Sequence, residues 1–326
     1  MISKSVLVTG GAGFIGSHLV DYLMNEGYNV TVFDNLSSGS LNNLKVWMKK
    51  ERFKFVKGDL KNKEEIAKAF DDGVELVFHF AANPEVRVGE TDPSVHFNEN
   101  LVATFNLLEG MRKSKHAKTV VFASTSTVYG DATVLPTPED YAPLIPISTY
   151  GASKLGCEAL ITSYAYTFGL RGLVFRLANI VGPRSRHGVV FDFVRKLRAN
   201  PKRLEILGDG TQKKSYLYIE DCVDAITRTT KRFLKNNLRV DVYNVGSTDQ
   251  IEVREIAKIV TKEMGLKNTE YVFTGGVDGG RGWLGDVKYM HLSINKLLKT
   301  GWEPKYNTRQ AIRLTVKTML GKNRKQ

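Results

Sequence analysis

The stretch that decides the fold is Val6-Leu7-Val8-Thr9-Gly10-Gly11-Ala12-Gly13-Phe14-Ile15-Gly16. A β-branched run passes straight into glycines and then into the apolar, helix-period segment Phe14–Asn25, so the glycines fall where a strand turns into a helix. Gly11 and Gly13 let backbone approach a pyrophosphate, and Gly16 lets helix and strand pack closely. The helix N-terminus adds unpaired N–H groups and a partial positive charge. A glycine-rich turn alone is weak evidence; its place between strand and helix carries the reading.

Working outward, Asp34 follows the next strand, 21 residues after Gly13. A carboxylate there accepts hydrogen bonds from both hydroxyls of an adenosine ribose and repels a 2′-phosphate. No arginine lies in Asn35–Leu41 to receive such a phosphate, so NAD is preferred to NADP. Asp59, in Lys57-Gly58-Asp59-Leu60 after the third strand, is placed to meet the adenine edge, the plainer reading being a turn aspartate.

The first half alternates short apolar runs with helical segments, the pattern of a parallel sheet wound with helices on both faces. Strands are expected at Val6–Thr9, Val30–Phe33, Lys54–Lys57, Leu76–Phe80, Thr119–Ala123 and Val174–Ala178. Helices are expected at Phe14–Asn25, Lys63–Phe70, Asn100–Lys113 and Tyr150–Phe168. After Ile180 the texture changes to Gly- and Pro-bearing loops, with helices at Val189–Ala199 and Glu252–Met264 and strands at Glu205–Leu207 and Val242–Val245. The expected fold is α/β: a Rossmann-like doubly wound parallel sheet over residues 1–180, followed by a smaller C-terminal α/β substrate domain over 181–326. Its boundary lies near Gly182-Pro183, and helix-like Asp221–Phe233 opens a return segment, about 221–245, to the first domain.

Length and composition exclude other classes. The 326 residues exceed the roughly 250–300 at which a single core stops growing. The chain is 42% hydrophobic, 10% aromatic and 25% charged, which excludes wholesale disorder. Its 47 Lys and Arg against 34 Asp and Glu give +13, suited to anions. The basic residues are scattered rather than gathered on a face or interleaved with aromatics, so no nucleic-acid partner is expected. The densest run, Lys322-Asn323-Arg324-Lys325, reads as a solvated end. Two cysteines, Cys157 and Cys222, make neither a disulfide framework nor a zinc site, and no metal is expected. With no signal-like start and no membrane-length apolar run, a cytoplasmic setting is expected.

Tyr150 and Lys154 stand four apart at the start of a helix, on one face. A phenol with a reference pKa near 10 is a poor base at neutral pH, but a neighbouring ammonium and a nicotinamide charge favour phenolate. Tyr150 then exchanges a proton with a substrate hydroxyl, while Lys154 also holds the nicotinamide ribose. The fifth strand ends in Ser124-Thr125-Ser126, at the carboxyl edge of the sheet where ligands bind in such folds. One hydroxyl there can share the reacting oxygen with Tyr150.

The order of these elements resembles the extended short-chain dehydrogenase/reductase family, most closely its NAD-dependent nucleotide-sugar 4-epimerases that interconvert UDP-glucose and UDP-galactose. The resemblance runs through Thr9–His18, Asp34-Asn35, Gly58-Asp59-Leu60, His79–Asn83, Asn98–Glu109, Ser124–Gly130, Tyr150–Lys154 and Arg176–Pro183. It continues through Tyr216–Asp221, Tyr243–Gly246, Gly285-Asp286-Val287 and Gly301–Pro304, nearly the whole chain. It implies that Tyr150 is the acid/base, Lys154 its partner and Thr125 the hydroxyl residue, flanked by Ser124 and Ser126. It also implies a tightly held NAD, bound by Gly10, Gly13, Phe14, Ile15, Gly16, Asp34, Asn35, Asp59 and Leu60. Phe80, Ala81 and Ala82 pass beneath the cofactor, Asn100 supports its pocket, and Asn179 contacts the substrate diphosphate.

Many relatives place Arg before the segment matching Ser215-Tyr216 to grip that diphosphate; here Lys213-Lys214 stand instead. Lysine supplies charge without a bidentate fork, so either Lys214 or Arg281 fills the role. The expected reaction is C4 oxidation to a 4-keto sugar and hydride return to the opposite face. The 4,6-dehydratases of the family carry an Asp-Glu pair after the hydroxyl residue, where this chain has Ser126 and Thr127. Alternatives left open are a 4-epimerase for an N-acetylated or uronic UDP-sugar and a dehydrogenase on the same scaffold. By analogy, Asn100–Lys113 and Tyr150–Phe168 pair with their copies in a homodimer.

Overall fold

β1 (Ser5–Thr9) has Val6, Leu7 and Val8 fully buried, which requires cover on both faces of its sheet. β2 (Asn29–Asp34) and β4 (Leu76–His79) flank it in parallel, with Thr9 opposite Phe33 on one side and His79 on the other. β3 (Phe53–Lys57) lies outside β2. Beyond β4 come β5 (Thr119–Thr125), β6 (Arg171–Leu177) and the strand Val240–Val245, closing a seven-stranded sheet. The chain fills one side of β1 and then crosses to the other, so the carboxyl ends of β1 and β4 form a topological switch point, where such sheets bind ligands. This is the Rossmann-like doubly wound α/β fold that the sequence predicts. The computed structural model describes residues 5–70 and 73–321; the basic run Lys322-Asn323-Arg324-Lys325 lies outside the described residues.

Two helices depart from expectation. The one expected over Lys63–Phe70 ends at Ala67, followed by turns. The one expected over Asn100–Lys113 begins as a π-helical turn, Phe97–Val102, before the α-helix Ala103–Lys113. β6 stops at Leu177, one residue early; the Ala178 N–H still donates to the Val245 carbonyl at 2.8 Å, and from Asn179 the chain pairs instead with Tyr216–Tyr218.

The residues group into two compact units. The first runs through Thr125 and takes in Thr149–Arg176 and Ile226–Tyr243; the second holds Ser126–Ser148, Leu177–Ala225 and the chain from Asn244 onward. Ser126–Ser148 groups with the second for a visible reason. The Tyr129 hydroxyl donates to Asn244 Oδ1 at 2.8 Å, Asn244 Nδ2 donates to the Thr137 carbonyl at 2.9 Å, and the Thr137 N–H donates to the His291 carbonyl at 2.8 Å. Elsewhere in that unit the helices Val189–Ala199, Val253–Glu263 and Thr308–Met319 pack with the parallel strand pair Arg203–Ile206 and Glu270–Phe273. No helix among the described residues is long and apolar enough to cross a membrane.

In the first unit His79 is fully buried at the end of β4. Its Nδ1 meets the Thr9 hydroxyl at 2.7 Å and its Nε2 meets the Thr104 hydroxyl at 2.9 Å. Thr104 donates its own proton to the Asn100 carbonyl, so Nε2 carries a hydrogen and donates it to Thr104. Burial, with Lys154 nearby, pulls His79 down to about 3. Its folded pKa thus lies below the unfolded one, so stability is complete above about pH 6.5 and falls as the unfolded chain takes up a proton that the folded one refuses. Urea unfolding should show stability dropping by about 1.4 kcal/mol per pH unit below pH 6 on this account, and His79→Gln should lessen the slope by about one proton. Equal slopes in both proteins would refute the assignment.

Candidate active site

At the carboxyl end of β1 the chain turns tightly. Gly10 has φ +69°, and a Cβ on it would lie 2.6 Å from the Ala81 backbone nitrogen. A Cβ on Gly16 would lie 2.2 Å from the Gly10 carbonyl oxygen, so helix and turn touch backbone to backbone. The helix that follows, α1 (Phe14–Asn25), is N-capped by Gly13 with no side-chain hydrogen bond. Phe14, Ile15 and Gly16 therefore open the helix with amides suited to an anion.

Asp34, 7% exposed at the end of β2, accepts the Ala12 N–H at 2.9 Å through Oδ2 and the Leu36 N–H at 2.8 Å through Oδ1. Burial raises its pKa, and these two bonds oppose the shift. The carboxylate is thereby tied to the glycine turn while each oxygen keeps a further lone pair. Asn35 Nδ2 reaches Asp59 Oδ2 at 3.3 Å, so the two lie together beyond β2 and β3. Leu60 differs from its neighbours: its side chain lies in the hydrophobic core and its carbonyl accepts from Asn106 Nδ2 at 3.0 Å, leaving only its N–H to reach a ligand.

Phe80, Ala81 and Ala82 leave β4 beside the turn, the Phe80 N–H donating to the Thr9 carbonyl at 3.1 Å. Asn100 is buried in the π-helical turn. Its Oδ1 accepts the Asn83 N–H at 2.8 Å, and its Nδ2 donates to Ser153 Oγ at 3.0 Å. Ser153 donates in turn to the Tyr150 carbonyl at 2.8 Å. One amide thus joins the chain after β4 to the first turn of the helix Thr149–Phe168.

On that helix Tyr150 hydrogen-bonds Thr125, the last residue of β5. Burial pushes the phenol up to about 12, the Thr125 bond opposing it, so in the chain alone Tyr150 is protonated. Lys154 is 3% exposed, with Nζ 4.2 Å from the centre of the Phe122 ring, and burial pulls it down to about 8. Of the neighbouring hydroxyls, Ser124 is committed elsewhere: its Oγ donates to Glu158 Oε1 at 2.5 Å. Ser126 is buried and begins the second unit. That unit also holds the remaining sequence candidates. Asn179 Nδ2 donates to the Ser215 carbonyl at 3.1 Å, Lys214 pairs with Asp286, and Arg281 pairs with Asp131.

Other residues of the arrangement carried no signal of their own in sequence. His96 is fully buried, meets Thr149 Oγ1 at 2.8 Å and the Glu85 carbonyl at 3.1 Å, and packs edge-on against the Tyr150 ring at 5.5 Å. Glu158 pairs with Arg176 at 2.8 Å, both buried, besides receiving Ser124. Glu158 is four residues beyond Lys154 on the same helix, and that spacing is the one clue available.

The residues present fit a dinucleotide: a crevice floor that tolerates no Cβ, an uncapped helix start, and a buried carboxylate oriented by backbone. Comparisons with known proteins agree. The profile of the NAD-dependent epimerase/dehydratase family matches residues 6–246. A crystal structure of a UDP-galactose 4-epimerase superposes with a TM-score of 0.87 at 46% identity, covering 98% of this chain and 99% of that one. The UDP-glucose 4-epimerase of Thermus thermophilus, solved in complex with NAD, gives 0.83 at 34% identity, covering 97% and 99%. The UDP-glucuronate 4-epimerase of Thermodesulfobacterium geofontis is 33% identical over 320 residues, 95% of this chain and 94% of its own.

Asp34→Ala should weaken NAD binding and bring the NAD and NADP dissociation constants about tenfold closer, the worth of one hydrogen bond to a charged group. Direct titration of both dinucleotides reads this; an unchanged ratio would remove Asp34 from the ribose.

Proposed function

The chain belongs to the NAD-dependent epimerase/dehydratase family, and on that premise we propose that it inverts C4 of a UDP-sugar, UDP-glucose and UDP-galactose in the first place. The observation that carries the reading is the Tyr150–Thr125 hydroxyl pair at the end of β5, with Lys154 one helical turn on. Names of relatives support the substrate class, and the glucuronate enzyme among them supports a uronic UDP-sugar as the second reading.

NAD, when bound, supplies a hydride acceptor that also returns the hydride, and a positively charged ring that favours phenolate. The chain's own part is the proton. Tyr150 takes it from the sugar 4-hydroxyl and later restores it, while Thr125 orients the transfer through the shared oxygen. The neutral starting state of Tyr150 means that phenolate forms only once an added positive charge offsets its burial. Lys154 remains largely protonated at neutral pH, its charge lying close to the phenyl face of Phe122. Ser126 and Thr127, where dehydratases of the family carry Asp and Glu, provide no acid or base for removing water. Oxidation and return is therefore the chemistry that these side chains serve best.

A cytoplasmic homodimer completes the proposal. Phe105, Tyr166 and Phe168 stand exposed on the two helical stretches expected to pair, which supports the homodimer. Light scattering should give about twice 36.5 kDa; a monomer at micromolar concentration would overturn the dimer.

The purified protein, with no NAD⁺ added, should convert UDP-galactose to UDP-glucose, and Tyr150→Phe should lose about 100-fold or more in turnover while keeping its bound NAD. Near-normal turnover in the variant would sink the role of Tyr150. Conversion of UDP-galacturonate alone would move the substrate to the uronic class, and accumulating NADH would identify a dehydrogenase.

A further inference from the structure

Both cations considered for the substrate diphosphate carry carboxylates, of unlike kinds. Lys214 Nζ lies 2.5 Å from Asp286 Oδ1, and that side chain is 3% exposed. The other Asp286 oxygen accepts the Gly282 N–H at 3.1 Å. Drawing Lys214 away would strand a buried charge, so this pair is locked.

Arg281 is held differently. Its Nη1 and Nη2 face Asp131 at 3.0 and 2.8 Å, a bidentate fork, and its Nε lies 3.2 Å from an Asp278 oxygen. The Arg281 side chain is 15% exposed, whereas Asp131 is 47% and Asp278 73% exposed. Carbonyl oxygens also anchor the guanidinium, Asp286 O at 2.5 Å to Nη1 and Asp278 O at 3.1 Å to Nε. The cation is therefore fixed from the inside by backbone, while its carboxylate partners stand on the solvent side. Returning an exposed carboxylate to water costs little. A diphosphate brings more charge and likewise offers two acceptor oxygens on one atom for bidentate pairing, so it competes well for the same fork.

We propose that Asp131 is a placeholder: it occupies the fork of Arg281 that a nucleoside diphosphate takes on binding, so that recognition exchanges one anion for another while Lys214 stays on Asp286. The proposal rests on the nucleotide-sugar reading and deepens it by assigning the diphosphate to Arg281. Asp131 then lowers nucleotide affinity rather than contributing to it, and it keeps the guanidinium satisfied between turnovers.

Calorimetric titration of the full chain with UDP tests this. Asp131→Asn, a nearly isosteric change at a half-exposed site, should bind UDP about fivefold more tightly than wild type, the scale of one exposed ion pair. In an Arg281→Gln background the same change should leave UDP affinity unaltered, since the two residues then share no interaction. Equal or weaker UDP binding by Asp131→Asn, with wild type binding normally, overturns the placeholder and makes Asp131 a brace for Arg281. A wild-type protein that binds NAD yet shows no UDP binding overturns the nucleotide-sugar reading, and this proposal with it.

Discussion

Two stretches of backbone meet at Gly10 and Ala81 with no room for a side chain between them, and the first unit is arranged around that approach. It sets β4 beside β1, brings the Thr9 hydroxyl within 2.7 Å of His79, and leaves α1 starting at an open crevice. The second close approach, Gly16 on the Gly10 carbonyl, aims the helix at that crevice. A helix end buried without a cap is ordinarily a defect. Here the missing cap leaves the first amides of the helix facing the crevice without a side-chain acceptor, the kind of helix start that suits an anion.

The helix bearing Tyr150 and Lys154 is held against the sheet by two polar clasps. Near its start, Asn100 reaches Ser153 and through it the Tyr150 carbonyl. One turn beyond Lys154, Glu158 grips Arg176 on β6 and Ser124 on β5. Buried polar groups satisfied this fully tend to fix one arrangement rather than add net stability. Thr125 lies next to Ser124 at the end of β5, and both side chains reach the same helix, Ser124 through Glu158 and Thr125 through Tyr150, so the Glu158 clasp also steadies the strand end that carries Thr125.

Much of this was legible in the sequence, for reasons that can be named. β1 and β4 announce themselves as short apolar runs because both faces are covered. Asp34 follows from its distance to the glycines, and Tyr150 with Lys154 from helical spacing. What escaped are partnerships between residues far apart in the chain: His96 with Thr149, Glu158 with Arg176 and Ser124, and Arg281 with Asp131 across 150 positions. No periodicity encodes such pairs. Leu60 shows the converse, a motif residue whose side chain serves the core. The protonation states were also hidden, since the Tyr150 and His79 shifts arise from burial that only the fold defines.

The π-helical turn at Phe97–Val102 has a consequence for how this chain tolerates length changes. A wide turn holds one residue more than an α-helical turn, and each helical residue advances the azimuth by about 100°. Deleting one residue there could restore regular α-helical bonding and make the helix better by local measures. It would also swing everything on the N-terminal side of the cut around the axis, separating Asn100 from Asn83 or from Ser153, since both bonds leave the same amide. The bulge therefore acts as a phase marker. It allows an outward-facing aromatic, Phe97, and an inward-facing amide, Asn100, to keep separate azimuths on what is otherwise one rod, and it makes the numbering of that rod as constrained as its composition.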